Sequence, residues 1–225
     1  MRLSVIIPVF NERATMQELL RRVDAVDLEK EVIIVDDCST DGTREVLNEI
    51  RRNIHTVVFH HENLGKGAAF RTGLKYAKGD YVIVQDADLE YDPQDYKRLL
   101  TQAKEHHADV VYGSRFVGKR PAMSVRHWVG NKLLTGLTNL LYGASLTDME
   151  TCYKLFRREV ITGLRIKSNG FNVEPEITAK ILKQGISIHE VPVSYTGRTF
   201  SEGKKISWMD FVSAGWTLMK FRISS

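Results

Sequence analysis

The segment Asp86-Ala87-Asp88-Leu89-Glu90 sets two carboxylates on either side of one small residue and a third two positions further on. Both flanking carboxylates can turn toward one bound ion, and Glu90 can complete the set. An all-oxygen ligand set with open positions suits Mg²⁺ or Mn²⁺, hard cations that commonly bridge to substrate phosphates. The plainer reading is a solvated acidic turn that caps a helix opening near Pro93. The surrounding pattern favours the cation, because Phe10-Asn11-Glu12 and Asp36-Asp37 also follow short apolar runs. Acids gathered along one edge repel one another unless a cation or sugar hydroxyls lie among them.

Asp37 is suited to accept hydrogen bonds from a nucleotide's ribose or base, as acids after the second strand do in dinucleotide-binding folds. Alternatively it begins a turn in which Asp41 caps the next helix. Glu12 is either an early-helix acid favoured by the helix dipole or a ligand contact. The stretch Asn63-Leu64-Gly65-Lys66-Gly67-Ala68-Ala69 lacks both the Walker spacing and the third glycine of a dinucleotide fingerprint, and reads as a tight turn into a helix. Arg115, Arg198, Lys204 and Lys205 fall in loop-like surroundings. The tract from Tyr195 to Lys205 reads either as an exposed hairpin or as a polar loop. Such a loop can close over a diphosphate and supply positive charge where a leaving group develops negative charge. The pairs His60-His61 and His106-His107 match no zinc spacing. Cys38 and Cys152 form neither a metal spacing nor a disulfide framework, and read as reduced thiols.

Positioning these groups falls to alternating strands and helices. Leu3–Val9, Glu31–Val35, Thr56–Phe59, Tyr81–Gln85 and Asp109–Tyr112 are short, β-branched and continuously apolar, as strands covered on both faces are. Thr15–Val26, Thr43–Arg51, Lys66–Ala77 and Pro93–His106 carry helical periodicity between them. The alternation predicts an α/β, Rossmann-like, mostly parallel sheet with helices on both faces, whose ligands sit beyond the carboxyl ends of the strands. Further on, Val125–Tyr142 and Trp208–Phe221 are predicted amphipathic helices, with a helix near Pro175–Lys183 and a strand over Ile186–Val193. Either apolar stripe can pack on the sheet or a second subunit, or lie in a membrane interface with Arg120, Arg126 and Lys132 near headgroups.

With 225 residues, 43% hydrophobic and 27% charged, the chain is expected to form one globular domain over 1–225. A net charge of +4 without like-charged blocks suits phosphorylated ligands or an anionic membrane and gives no case for nucleic acid. No stretch reaches about 18 to 20 uncharged apolar residues. The expected location is the cytoplasm, peripherally at a membrane surface if at a membrane at all.

Taken together, Val5–Glu12, Val35–Thr43, Asn63–Gly67 and Asp86-Ala87-Asp88 resemble the inverting glycosyltransferases of GT-A fold. Gly113-Ser114-Arg115-Phe116, Thr147-Asp148 with Cys152–Arg157, and Glu190-Val191-Pro192-Val193 with the basic loop look like the polyprenyl-phosphate sugar synthases, dolichyl-phosphate mannose synthases among them. The resemblance covers nearly the whole chain, with residues 1–118 expected to form a nucleotide-sugar-binding half and 119–225 an acceptor- and membrane-facing half. It implies that Pro8, Phe10, Glu12, Val35 and Asp37 line a nucleotide-sugar pocket. Asp86, Ala87 and Asp88 would meet ribose, metal and diphosphate, with Glu90 as a further ligand to Mg²⁺ or Mn²⁺. Relatives can carry Gln at the Glu90 position, so the acid here changes the ligand charge. Arg115, Arg198 and Lys204 match phosphate-holding positions, Asp148 a proposed catalytic acid, and Glu174 a weaker candidate of that kind. The implied partners are GDP-mannose or UDP-glucose, a polyprenyl (dolichyl) phosphate, the membrane surface and a second copy of the chain. The competing readings are transfer to a soluble or protein-bound hydroxyl, and a non-catalytic basic module that binds membranes or nucleic acid.

Overall fold

A computed structural model describes residues 1–50, 55–118, 123–198 and 208–223. The predicted strands form as β1 (Leu3–Val9), β2 (Lys30–Asp36), β3 (Thr56–Phe59), β4 (Tyr81–Val84) and β5 (Val110–Ser114). They alternate with helices α1 (Met16–Asp24), α2 (Thr43–Ile50), α3 (Lys66–Leu74) and α4 (Tyr96–Glu105). A single 3₁₀ turn, Pro93–Asp95, precedes α4, and the Asp92 side chain caps it by accepting from the Gln94 amide. The remaining elements are α5 (Val125–Tyr142), β6 (Lys154–Arg157), α6 (Arg158–Gly163), α7 (Val173–Lys183), β7 (Ile188–Pro192) and α8 (Trp208–Ile223).

The seven strands form one sheet in the order β3-β2-β1-β4-β6-β5-β7. All neighbours are parallel except β6, which runs antiparallel to both β4 and β5. The register sets Val9 beside Asp36 and Asp36 beside Phe59, so β1, β2 and β3 end at a common edge. The central strands β1, β2, β4 and β5 bury mostly Val, Ile and Leu with essentially no exposure, which fixes the sheet between its helical layers.

β6 and α6 were not read as elements in the sequence. Lys-Leu-Phe-Arg is only four residues long and has no periodicity to separate a buried strand from a helical segment. Its reversal has a functional consequence. Because Lys154 pairs with Tyr112 and Leu155 with Ile83, the amino end of β6 lies at the carboxyl ends of its neighbours. Residues 148–153 therefore arrive at the same edge as the acids after β1, β2 and β4.

A second, smaller core joins α5, α7 and α8 through Leu134, Met149, Ala179, Ala214, Leu218 and Phe221. Here α5 is turned with its polar stripe inward. Asn131, Thr135 and Thr138 are buried, whereas Val125, Val129, Leu133 and Leu140 face outward, Leu140 at 82% exposure. The inward groups are satisfied: Asn131 donates to the His127 carbonyl, Thr138 to the Leu134 carbonyl, and Thr135 accepts from the Met149 amide. α8 likewise exposes Met209, Val212, Trp216, Met219 and Ile223. Among the described residues no helix is long and apolar enough to cross a membrane.

Candidate functional site

The common strand edge opens into a cavity of about 480 Å³. Pro8, Phe10 and Glu12 reach it from the end of β1, and Asp37 from the end of β2. Asp86, Ala87, Asp88 and Glu90 follow β4, and Arg115 follows β5. Arg198 enters from the segment after β7, while His127, Asn131, Phe211 and Ala214 form the wall contributed by α5 and α8. Of the residues expected here, Val35 is instead wholly buried inside β2 and does not line the cavity. Its position one residue before the strand end keeps its side chain in the core. Lys204, with Arg120, lies outside the described residues.

Three strand ends use backbone conformations that side chains rarely adopt. Asn11, Cys38 and Leu89 have φ of 53°, 64° and 63°. Such strain gathers where a fold must aim groups at a ligand. At Asn11 it is held by the amide donating to Ser39 Oγ and the side-chain oxygen accepting from the Thr40 amide. At Leu89 it lets the Glu90 amide donate to Asp88 Oδ1 at 3.1 Å.

Asp86 is paired with Lys66, whose Nζ lies 2.7 Å from Oδ1. The same ammonium lies 3.2 Å from Glu174 Oε1, and Glu174 Oε2 is 2.5 Å from Lys154 Nζ. Asp86, Lys66, Glu174 and Lys154 thus alternate in sign from the cavity into the core, the arrangement that makes buried charge tolerable. Burial works against the Asp86 charge, but Lys66 outweighs it and the carboxyl falls below its usual range. Asp88 behaves oppositely. Burial, reinforced by the neighbouring Asp86 and Glu90 carboxylates, pushes it up to about 7. Among the described residues it is paired with Arg198, 3.6 Å away and also bonded to Glu12 at 3.2 Å.

Glu90 accepts from the Tyr195 hydroxyl and the Arg198 amide, each at 2.7 Å, so it anchors the segment that carries Arg198. Among the described residues no group of three or more His, Cys, Asp or Glu is set to hold a metal ion. Asp86 and Asp88 are the carboxylates that could hold one. Two carboxylates completed by substrate phosphates are a common protein share of a Mg²⁺-type site. Asp88 lies beside the Asp86 and Glu90 carboxylates with Arg198 3.6 Å away, negative charge that a bound cation would help to offset.

Asp37 is engaged on both oxygens, accepting from the Leu64 and Gly65 amides at 2.9 and 2.7 Å and meeting His60 Nδ1 at 2.8 Å. It thereby fixes the turn before α3 while facing the cavity. Gly65, at φ 93°, is required there because a Cβ would come within 2.6 Å of the Asn169 carbonyl oxygen. That carbonyl accepts from the Ala68 amide, so the start of α3 is partly covered by the 168–170 segment.

Asp148 does not face the cavity. It is fully buried, and its two oxygens take the Arg115 amide, Nε and Nη2 at 2.7 to 2.9 Å. The Glu190 carboxylate holds the Thr147 and Asp148 amides in turn. A carboxylate committed in this way orients Arg115, which also bonds Asn131 and stacks between the Phe116 and Tyr195 rings. The carboxylates that do line the cavity near this point are Glu150 and Glu174. Glu174 lies in Phe171–Glu176, already a weaker candidate in the sequence. Glu150 and Lys66 were missed, although Lys66 sits in the glycine-bounded stretch before α3. Burial pushes Glu150 up to about 7.

Comparison with known proteins agrees with this geometry. A family model described as "Glycosyl transferase family 2" matches residues 4–164. The polyprenol monophosphomannose synthase of Mycolicibacterium smegmatis is 31% identical over 90% of this chain and 80% of its own length. The low-salt glycan biosynthesis hexosyltransferase Agl6 of Haloferax volcanii is 28% identical over 98% of this chain, which spans about half of that protein (53%). Among solved structures, glucosyl-3-phosphoglycerate synthase from Mycobacterium tuberculosis in complex with Mn²⁺, UDP-glucose and phosphoglyceric acid superposes with a TM-score of 0.69. It is 21% identical, over 98% of this chain and 79% of that one. The fold is that of the GT-A glycosyltransferases.

Proposed function

The chain belongs to glycosyl transferase family 2 and is a glycosyltransferase, and on that premise we propose that it transfers a hexose, mannose or glucose, from a nucleotide sugar to a polyprenyl phosphate at a membrane surface, with inversion. The observation that carries this reading is the reach of one cavity. It runs from the acidic strand edge to the inner sides of α5 and α8, whose outer sides are apolar. A phosphate head on a lipid tail needs both ends of that path.

In this reading Pro8, Phe10, Glu12 and Asp37 receive the nucleoside, and Asp86 and Asp88 hold the divalent metal, Mg²⁺ or Mn²⁺. A metal bound there neutralises the departing diphosphate as a Lewis acid. Arg198, held beside Asp88 by Glu12 and Glu90, is placed to add positive charge where the leaving group develops its own negative charge. Arg115, preset by Asp148 and Asn131, receives the acceptor phosphate. A phosphate acceptor is largely ionised near neutral pH, so it needs orientation more than a strong base. Exposed Arg126 and Arg222 lie on the helices with the outward apolar faces, a combination that suits an anionic bilayer.

The test is incubation with labelled GDP-mannose or UDP-glucose, each metal, and dolichyl or undecaprenyl phosphate. Label passing into the organic phase supports the reading. Label found only on soluble or protein acceptors assigns the chain to hydroxyl transfer instead.

A further inference from the structure

Glu150 reaches the cavity from the turn before the reversed strand β6, and its Oε1 is buried without any hydrogen-bond partner among the described residues. An acceptor in that state is costly unless a ligand completes it. Of the described charged groups around it, Lys154 and Arg115 attract, while Glu174 and Asp148 repel. Both cations are already committed. Arg115 is bonded to Asp148 and Asn131, and Lys154 to Glu174 and the Thr151 carbonyl. Among the described residues nothing supplies Oε1 with a donor.

The missing partner has a definite chemistry. It must donate hydrogen bonds and must not be anionic, because a phosphate beside this carboxyl adds repulsion to that of Glu174 and Asp148. That excludes the donor's diphosphate and the acceptor's phosphate. A hexose hydroxyl satisfies both conditions. Position agrees, since Glu150 neighbours Glu174, which shares Lys66 with Asp86 at the diphosphate end of the cavity.

We propose that Glu150 accepts hydrogen bonds from hydroxyls of the transferred hexose and thereby sets which sugar the enzyme takes. The proposal rests on the nucleotide-sugar reading above.

Calorimetric titration separates the two. Wild type, Glu150→Gln and Glu150→Ala are titrated in Mn²⁺ with UDP, UDP-glucose, GDP and GDP-mannose. Losing a charged acceptor should weaken the preferred nucleotide sugar by about tenfold or more in Glu150→Ala. Glu150→Gln keeps one acceptor oxygen and the shape of the side chain, so it should lose less. Affinity for the matching nucleoside diphosphate should stay within about twofold in both variants. Equal losses for sugar nucleotide and diphosphate indicate a structural role and overturn the proposal, as does an unchanged affinity for both. If wild type binds none of the four compounds, the donor reading itself falls, whatever the variants do.

Discussion

Lys66 Nζ lies between two carboxylates on different elements, 2.7 Å from Asp86 Oδ1 and 3.2 Å from Glu174 Oε1. One side chain from the start of α3 therefore ties the strand edge that carries Asp86 to the helix that carries Glu174. Although burial acts against its charge, Asp86 and Glu174 help to hold the ammonium well above the usual lysine range.

Removing that cation should be expensive. Lys66→Ala leaves Asp86 and Glu174 facing each other with less countercharge, and a buried pair that loses one partner typically costs about 3–5 kcal/mol. Urea unfolding should show a loss near the lower end of that range, because the pair borders a cavity. Saturating Mn²⁺ should recover part of the loss by replacing the charge beside Asp86.

Asp148→Asn discriminates between orienting and proton transfer. An orienting carboxylate predicts that kcat/KM falls by about tenfold or more at every pH, because Arg115 loses its clamp. A general base predicts that the acid-side limb of the profile disappears. The observed commitment of both Asp148 oxygens to Arg115 favours the flat loss.

Stability should respond to pH through Glu150. Its folded-state pKa lies near 7, above the ordinary 4.5, because burial disfavours the charged form. A carboxyl with a raised folded pKa leaves stability intact below its unfolded value and lowers it as pH rises through the folded one. Glu150→Gln, which cannot ionise, should be nearly neutral near pH 4 and stabilising by about 3 kcal/mol near pH 8. Thermal melts at the two pH values check the crossover. Glu174 and Asp148 raise this pKa while Arg115 and Lys154 lower it, so the same melts on Glu174→Gln should show a smaller Glu150 effect.

The outward face of α5 and α8 should bind bilayers. Leu140→Glu and Trp216→Glu change residues that are 82% and 66% exposed, so folding stability should move by less than about 0.5 kcal/mol. Sedimentation with anionic vesicles should nevertheless fall by about tenfold in the double variant. Unchanged sedimentation would remove the lipid surface from the proposed function.

The sequence displayed the parallel half of the fold clearly, because β1, β2, β4 and β5 are continuous apolar runs and each ends in polar residues. Asp86, Asp88, Asp37 and Glu12 were legible for the same reason, since strand ends in such sheets converge on one edge. What escaped was decided by long-range pairing. Lys154–Arg157 is too short to declare itself as a strand, yet its reversal carries Glu150 and Asp148 to the site. Whether Asp148 faced a substrate or Arg115 depended on a contact across 33 positions in the chain. The apolar pattern of α5 showed a helix but left its orientation open, and the structure turns Leu133 and Leu140 outward while Leu134 packs inward.

Everything functional turns on whether the Asp86–Asp88 edge holds a cation that a nucleotide diphosphate shares. The direct measurement is calorimetric binding of UDP and GDP with and without Mn²⁺, to wild type and to Asp88→Asn. Metal-dependent binding in wild type, weakened by about 100-fold in Asp88→Asn, is the predicted result. Equal, metal-independent binding by both proteins would contradict it.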